Sequence, residues 1–331
     1  MMEDHLVVPD DLGGMPLDEF LALRWPRISK GALRDLVRTG RITLGGQRVQ
    51  PSQRLRPGQL ILIDAPENAP REVARTGLAL EVLYQDEHLV AVNKPAGFPV
   101  EPGRWGEHPV TLTGALLDWA EDRRRPDGLP VARPRALHRL DLGTSGVLLY
   151  ALSLEAERFY RSLFEVGSME KIYHAVVIGE VRQGGVIDAP LAPDRRDGGR
   201  MQIQAGGKPS RTEYTPMRRF RGYSLVEARP RTGRTHQIRV HLASLGHPLA
   251  VDPRYGGSDR MLLSELKPGY RAKPGRQEAP LIDRLTLHAA SIKAPKFDGG
   301  ELLVEAPYPK DLKVLLSKME KWRRASQANS E

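Results

Sequence analysis

Cysteine is absent from this chain of 331 residues, and long apolar runs are absent as well. Without cysteine there is no disulfide framework, no thiolate nucleophile and no cysteine-ligated zinc, which is typical of a reducing compartment. No apolar run approaches the roughly 18 residues that a membrane-spanning helix needs. The acidic start, MMEDHLVVPDDLGG, also lacks the apolar core of a signal peptide. We therefore expect a cytoplasmic protein with no membrane partner.

Several motifs that carry well-known chemistry are missing too. The GTSG segment around Ser145 has Val147 where a nucleophile elbow needs a second glycine, which excludes a serine hydrolase. The GGKPS segment has Gln202 where a phosphate-binding loop begins with glycine, which excludes an NTPase. His236 and His241 have the wrong spacing for two ligands on one helical face, so we expect no metal ion.

Positive charge, by contrast, is in excess. Lysine and arginine number 50 against 41 acidic residues, a net charge of +9, which favours a polyanionic partner. Residues 17–58 hold nine basic and three acidic residues and so supply +6 of that net charge. The hydrophobic content of 40% is enough for a sizeable core.

The basic segment has the pattern of two helices followed by a hairpin. Ser29 is a natural N-cap for the second helix, and Gly40 stands where a helix end needs a left-handed residue. The segment ITLGGQRV predicts two short strands joined at Gly45 and Gly46.

The second of these helices carries a cationic stripe. Lys30, Arg34 and Arg38 recur every four residues and so share one face, with Arg41 following just beyond the helix. An exposed charged face is usually only solvated, but such a face normally mixes signs, and here Asp35 is the only acid nearby in the sequence. We predict that these four residues contact the phosphates of a nucleic acid.

Composition divides the chain into two domains. A leader covers 1–14, a small basic domain 15–65, an exposed Pro- and Ala-rich linker 66–79, a large domain 80–325 and a tail 326–331. In the large domain, strand patterns such as KIYHAVVIGEV and YSLVEARP interleave with helical patterns such as SLEAERFYRSLFE and THQIRVHLASLG. This alternation predicts an α+β fold.

Two compact segments, HRLDLGTSG and GRTHQIRVHL, concentrate polar groups between apolar flanks. If Thr235 caps the second segment's helix, Arg239 emerges half-buried at the edge of a core-facing side formed by Ile238, Leu242 and Leu245. A half-buried arginine needs a carboxylate, and Asp141 is the acid in the most apolar neighbourhood. The alternative is that Asp141 only caps the turn at Thr144 and Ser145.

The segment HRLDLGTSGVLLYA resembles the signature of the RluA-type pseudouridine synthases. VNKPAG, KIYHAVVIGE, GRTHQIRVHLASLGHPLAVDPRYGG and a late LHA follow the same family's order, and together they cover 80–315. The basic N-terminal segment is similar to the small S-four-like RNA-binding module of many members. The resemblance implies a mixed, largely antiparallel catalytic sheet preceded by a small α/β-hairpin RNA-binding domain.

The resemblance also implies roles for individual residues. Asp141 matches the family's catalytic aspartate, Tyr173 the tyrosine beneath the target base, and Arg239 the arginine paired with the aspartate. Arg139 resembles the arginine that enters the RNA near the vacated base position. The sequence departs from the family at Glu101-Pro102, where members commonly have His-Pro.

The implied activity is isomerisation of specific uridines to pseudouridine in structured RNA, most readily large-subunit ribosomal RNA, by a monomer. No atom enters or leaves in this reaction, so no cofactor is expected. Alternatives are the same activity on transfer RNA, a base-releasing nucleosidase with paired acids, and a catalytically silent RNA-binding protein.

Overall fold

The computed structural model describes residues 5–64, 75–101, 110–123, 129–130, 132–272 and 275–324. The predicted tail and most of the predicted linker lie outside these residues. The described helices are α1 (Leu17–Arg24), α2 (Lys30–Arg38), α3 (Leu112–Glu121), α4 (Leu154–Glu165), α5 (Gln237–Ser244), α6 (Leu263–Leu266) and α7 (Lys310–Trp322). A single 3-10 turn (Asp10–Leu12) precedes α1.

The described strands are β1 (His5–Val7), β2 (Ile42–Leu44), β3 (Leu60–Ile63), β4 (Val82–Gln85), β5 (Leu89–Lys94), β6 (Arg135–Ala136), β7 (Ser145–Ala151), β8 (Glu170–Ile178), β9 (Gly185–Asp188), β10 (Leu191–Pro193), β11 (Met201–Ile203), β12 (Arg211–Phe220), β13 (Tyr223–Pro230), β14 (Leu287–Pro295) and β15 (Glu301–Glu305). The chain forms two compact units. The first contains Met1–Ala79 and Glu101–Arg135, and the second contains Leu80–Val100 and Ala136–Glu331.

The first unit is built on a three-stranded antiparallel sheet in the order β1-β3-β2. Helices α1 and α2 bury Phe20, Leu21, Leu33 and Val37 in one core with the inward-facing residues of the sheet. As predicted, the Ser29 side chain caps α2 by accepting a hydrogen bond from the Ala32 amide. The predicted leader contributes β1, and residues 101–135, which we assigned by sequence to the large domain, belong to this unit.

The predicted hairpin is correct in its turn and wrong in its second strand. Gly45 and Gly46 have φ of +55° and +82°, as a tight two-residue turn requires. The strand that pairs with β2, however, is β3, and the residues directly after the turn contribute only one bridge, between Leu44 and Gln47. Local turn chemistry predicts where the chain reverses, but the partner strand lies further along the chain.

The second unit contains a large mixed sheet in the order β4-β5-β7-β14-β8-β13-β12-β9, with β15 paired to β14. All of these pairings are antiparallel except that of β7 with β14. Helix α4 begins after Ser153, whose hydroxyl caps it by accepting a hydrogen bond from the Ala156 amide. The largely antiparallel α+β fold expected from the sequence is confirmed.

The two faces of the large sheet carry different helices. Along β8, Ala175 and Val177 pack with Ile238 and Leu242 of α5. Val176, between them, packs with the buried residues of α7. Because alternate residues of a strand point to opposite faces, α5 and α7 cover opposite faces of the sheet. Among the described helices, none is long and apolar enough to cross a membrane.

Candidate active site

A cleft of about 590 Å³ lies on the α5 side of the large sheet. Its walls are the turn before β7, which carries Asp141, the strand β8, which carries Tyr173, and the segment from Pro230 to Arg239. Strand β14 lies between β7 and β8, so the sheet order brings the two distant sequence segments to one place.

Asp141 and Arg239 form the ion pair that the sequence predicted. The Arg239 Nη1 donates to Asp141 Oδ2 at 2.9 Å. The backbone amide of Thr144 closes the turn by donating to the Asp141 carbonyl at 3.0 Å, while the carboxylate points to Arg239. The interpretation of Asp141 as only a turn cap therefore fails.

Arg239 is held from its other side by a carboxylate that sequence reasoning missed. Asp252 is fully buried and accepts from Arg239 Nε at 2.7 Å and from Nη2 at 2.9 Å. Burial alone lowers the pKa of Arg239, but its hydrogen bonds to Asp252 and the charges of Asp141 and Asp252 raise the pKa further than burial lowers it. The guanidinium stays charged and presents one fixed edge to Asp141. The sequence signal was a lone acid within the apolar PLAVDPRYGG segment.

Helix α5 differs from its prediction in three details. It begins at Gln237, after His236, so Thr235 is not the cap. Leu245 is exposed rather than in the core, because the helix ends at Ser244. Arg239 is buried rather than half-buried, since Asp252 and the ring of Tyr255 pack against it.

Tyr173 lies in the cleft at the centre of the sheet, paired with Ala228 of β13 on one side and Ala289 of β14 on the other. Burial, and then the negative charge of Asp141, raise the pKa of its hydroxyl. The side chain therefore remains a neutral phenol. A neutral phenol can pack against a base and form hydrogen bonds, whereas only a phenolate would act as a strong base.

His236 faces the same carboxylate. It is the one described residue other than glycine with a positive φ, at +55°, a conformation that costs about 1–2 kcal/mol. The Tyr255 hydroxyl accepts a hydrogen bond from the Met201 amide and forms a second one with His236 Nδ1 at 2.8 Å. His236 Nε2 lies 3.9 Å from Asp141 Oδ1. Burial lowers the pKa of His236 against the charge of Asp141, which favours the neutral ring.

Lys94, in the VNKPAG segment, stabilises the Asp141 turn through hydrogen bonds to its backbone carbonyls. Its side chain is fully buried and donates to the carbonyls of Pro95, Leu142 and Thr144 at 2.9–3.1 Å. Burial lowers its pKa to about 7, against the charge of Asp141. The sequence motif contained this lysine, but a buried role for a lysine is not visible in a hydropathy pattern.

Two further cations face the cleft. Arg139 is exposed at its edge and makes no ion pair with any carboxylate in the described part of the chain. Lys171, at the start of β8, donates to the Thr232 carbonyl, and burial lowers its pKa to about 8. Glu101 is exposed, and its neighbour Pro102 lies outside the described residues.

The cationic stripe of α2 has closer acidic partners than the sequence indicated. Lys30 pairs with Asp18 and Glu19, and Arg34 pairs with Asp18 at 2.8 Å. Arg38 pairs with Asp35 at 3.0 Å, and Arg41 pairs with Asp64 at 2.6 Å. The expectation that Asp35 is the only acid near the stripe is wrong, because α1 packs beside α2 and brings its own carboxylates. Contact of these four cations with RNA stays a prediction.

Comparison of the sequence with protein families agrees with this geometry. The family model described as "RNA pseudouridylate synthase" matches residues 88–244, and the S4 domain model matches residues 15–61. "Ribosomal large subunit pseudouridine synthase D" of Pseudomonas aeruginosa is 33% identical over 98% of both chains. The protein of the same name from Xanthomonas campestris is 34% identical over 94% of this chain and 91% of the relative. An "Uncharacterized RNA pseudouridine synthase" of Chloroflexus aurantiacus is 36% identical over 96% of this chain and 94% of the relative.

Solved structures share the fold. "Human RNA Pseudouridylate Synthase Domain Containing 4" superposes with a TM-score of 0.55 at 24% identity, covering 72% of this chain and 93% of that one. "Human RNA Pseudouridylate Synthase Domain Containing 1" superposes with a TM-score of 0.51 at 26% identity, covering 70% and 84%.

Proposed function

This chain belongs to the RNA pseudouridylate synthase family, and we propose that it isomerises uridines to pseudouridine in large-subunit ribosomal RNA. The names of the P. aeruginosa and X. campestris relatives, which match over nearly the whole chain, support the substrate. The single structural observation that carries the proposal is the Asp141 carboxylate, held by Arg239 beside Tyr173 in one open cleft.

The reaction breaks the bond from uracil N1 to the ribose, turns the detached base and forms a bond from carbon 5 to the same ribose carbon. The proton lost from carbon 5 balances the one gained at N1, so no cofactor is needed. The target base must first leave its stack, at a cost of a few kcal/mol that protein contacts offset. We assign Arg139, exposed at the cleft edge, to the gap that the base leaves.

The cleft residues suit three roles. Asp141 is the group that acts on the nucleotide, as a nucleophile or as a base toward the ribose. Arg239 fixes the direction of that carboxylate. Tyr173, as a neutral phenol, packs against the base with stacking worth roughly 1–3 kcal/mol.

A glycosidase reading requires two carboxylates that both reach the substrate. The other carboxylate that binds Arg239 is that of Asp252. It is fully buried, and both of its oxygens accept hydrogen bonds from Arg239. Its full burial keeps it from a sugar or a water, so Asp252 does not suit the role of the second carboxylate.

We also propose that the protein acts as a cytoplasmic monomer. The absence of cysteine supports the compartment. Size-exclusion chromatography with light scattering measures the molar mass in solution. The mass of a dimer would contradict the proposed monomeric state.

Pseudouridine mapping tests the function. Ribosomal and transfer RNA incubated with the wild-type protein and with Asp141→Asn are mapped in parallel, and free uracil is assayed. We expect new pseudouridine in large-subunit RNA with the wild type alone, because asparagine preserves shape and removes the charge. Pseudouridine in transfer RNA only would show that transfer RNA is the substrate. Release of free uracil would show that the enzyme is a glycosidase. Unchanged activity of Asp141→Asn would show that Asp141 is not catalytic.

A further inference from the structure

Positive charge with few acidic partners is concentrated on the side of the large sheet opposite the cleft. We define the α7 surface by Arg218 of β12, by Arg221 at the turn between β12 and β13, and by Lys313, Lys318, Lys321 and Trp322 of α7. The three residues Leu312, Leu315 and Met319 of the same helix are buried beneath it. Because α5 and α7 cover opposite faces of the sheet, this surface is separate from the Asp141 cleft.

The α7 surface has few acids to neutralise it. Among the described residues, Glu320 is the one carboxylate paired with these cations, and it lies 3.8 Å from Arg218 and also 3.9 Å from Arg324. This differs from α2, where each predicted RNA-binding cation has a closer acid of its own. The positive charge that acids do not neutralise therefore lies on α7. An ordinary solvated helix face would carry charges of both signs.

Trp322 lies at the centre of this charge. The ammonium groups of Lys318, Lys321 and Lys267 are 5.1, 5.3 and 5.9 Å from its ring. Each is attracted by the ring, but three like charges around one indole repel one another. An anion on this surface relieves the repulsion, and an aromatic face ringed by cations is the combination that binds a base together with its phosphates.

The geometry also suits an extended ligand. Lys313, Ser317 and Lys321 follow one another at four-residue spacing and so share a face, spanning about 12 Å along the helix. A groove of about 450 Å³ runs beside them, lined also by Arg218 and Tyr308. Two phosphates of one strand can contact Lys313 and Lys321 along this groove.

We propose that the α7 surface binds a second segment of the substrate RNA, remote from the target uridine. The inference rests on the proposed function, since it takes RNA as the substrate. An RNA large enough to reach both faces of the sheet contacts the cleft and α7 together, whereas a short stem-loop in the cleft does not reach α7. The surface thereby favours large RNA over small fragments.

The test compares Lys313→Gln/Lys321→Gln with a matched control, Lys293→Gln/Lys296→Gln. The control lysines lose the same charge but are paired with Glu301 and Asp298 on the β14–β15 hairpin. Binding of the full-length proteins to a large-subunit RNA fragment and to a short stem-loop containing the target uridine is measured across a salt series.

For the long fragment, we expect the α7 variant to lose about ten-fold or more in affinity, with a salt slope shallower by about 1.8, or 0.9 for each phosphate contact. The control should change neither. With the short stem-loop, kcat/KM should be equal for all three proteins. An α7 variant that matches the control on the long fragment overturns the proposal. Absence of pseudouridine with the wild type would instead refute the proposed function, and the binding comparison would still decide the α7 surface.

Trp322 supplies an independent readout. RNA stacked on the indole should quench part of the tryptophan fluorescence of the wild type, and that part should be missing in Trp322→Phe, which keeps an aromatic ring. Trp322→Ala should lower affinity for the long fragment by roughly five-fold or more. Equal quenching in the wild type and Trp322→Phe would show that RNA does not reach this ring.

Discussion

At the scale of single residues, the site is a chain of charges rather than one acid. Asp141 is directed by Arg239, and Arg239 is directed by Asp252, which water does not reach. The buried member of such a chain depends most on its partner, because an uncompensated buried charge is far more costly than a lost surface contact.

This dependence gives a stability prediction. Arg239→Met should lower the free energy of unfolding by about 3–5 kcal/mol, because Asp252 is left charged and unpaired in the core. Adding Asp252→Leu should recover part of that loss, since the stranded charge is then gone. Urea unfolding of the two single variants and the double variant measures the coupling, and strictly additive losses would contradict it.

Lys94 gives a prediction for pH dependence. Its pKa is lowered by burial from 10.5 to about 7 in the folded protein, so between these values the unfolded chain binds more protons than the folded one. The contribution of Lys94 to the free energy of unfolding is thus least favourable below pH 7 and rises with pH, by up to about 1.4 kcal/mol per unit.

The measurement is urea unfolding of the wild type and Lys94→Met from about pH 7 to about pH 9, within this window. We expect the wild type to gain stability relative to the variant as the pH rises. Parallel pH profiles would mean that Lys94 has an ordinary pKa.

At the scale of elements, the parallel contact between β7 and β14 decides where the Asp141 turn lies. Gly146 pairs with Ala289 at this contact and has a φ of +116°. A Cβ at Gly146 would lie 2.1 Å from the Ala289 carbonyl oxygen, a distance that real structures do not contain. Only glycine allows the two strands to approach this closely.

Gly146→Ala should therefore destabilise the protein by about 3 kcal/mol or more, from backbone strain and the clash together. Gly222→Ala is the control, because Gly222 has a φ of +80° with nothing within 4 Å of an added Cβ. It should cost only about 1–2 kcal/mol. Similar thermal unfolding of the two variants would show that the strand contact is not the constraint.

At the scale of the whole molecule, the N-terminal unit includes residues distant in sequence. Arg27 of this unit forms ion pairs with Asp118 and Glu121 of α3, and Thr76 donates to Asp118 as well. A truncation that removes the N-terminal domain as bounded from sequence composition deletes Arg27 but keeps α3. Asp118 and Glu121 of α3 then lose their ion pairs with Arg27.

Deletion of Met1–Glu67 should weaken RNA binding and flatten its salt dependence, because the cations of α2 are lost. Hydrogen exchange should be faster in α3, which has lost Arg27, and unchanged in β7, β8 and β14 of the large unit. Loss of protection in those strands would mean that the large unit does not fold without the N-terminal residues.

Much of this protein follows from its sequence alone. The caps at Ser29 and Ser153, the turn at Gly45 and Gly46 and the strand at β13 depend on residue type and local spacing, and local energies decide them. The residue types of Asp141 and Arg239 also predicted their pairing, although the sheet order is what brings the two segments together. The order of the polar motifs also sufficed for the family and the reaction.

Other features were decided only by the tertiary structure. The partner of β2, the placement of α3 in the N-terminal unit, the buried roles of Asp252 and Lys94, and the acids that face the α2 stripe all depend on contacts between residues far apart in the chain. A sequence pattern records which residues are apolar or charged, but whether a charge is neutralised depends on what packs against it. For this reason the cationic surface predicted on α2 has acidic partners, whereas the unpaired one lies on α7.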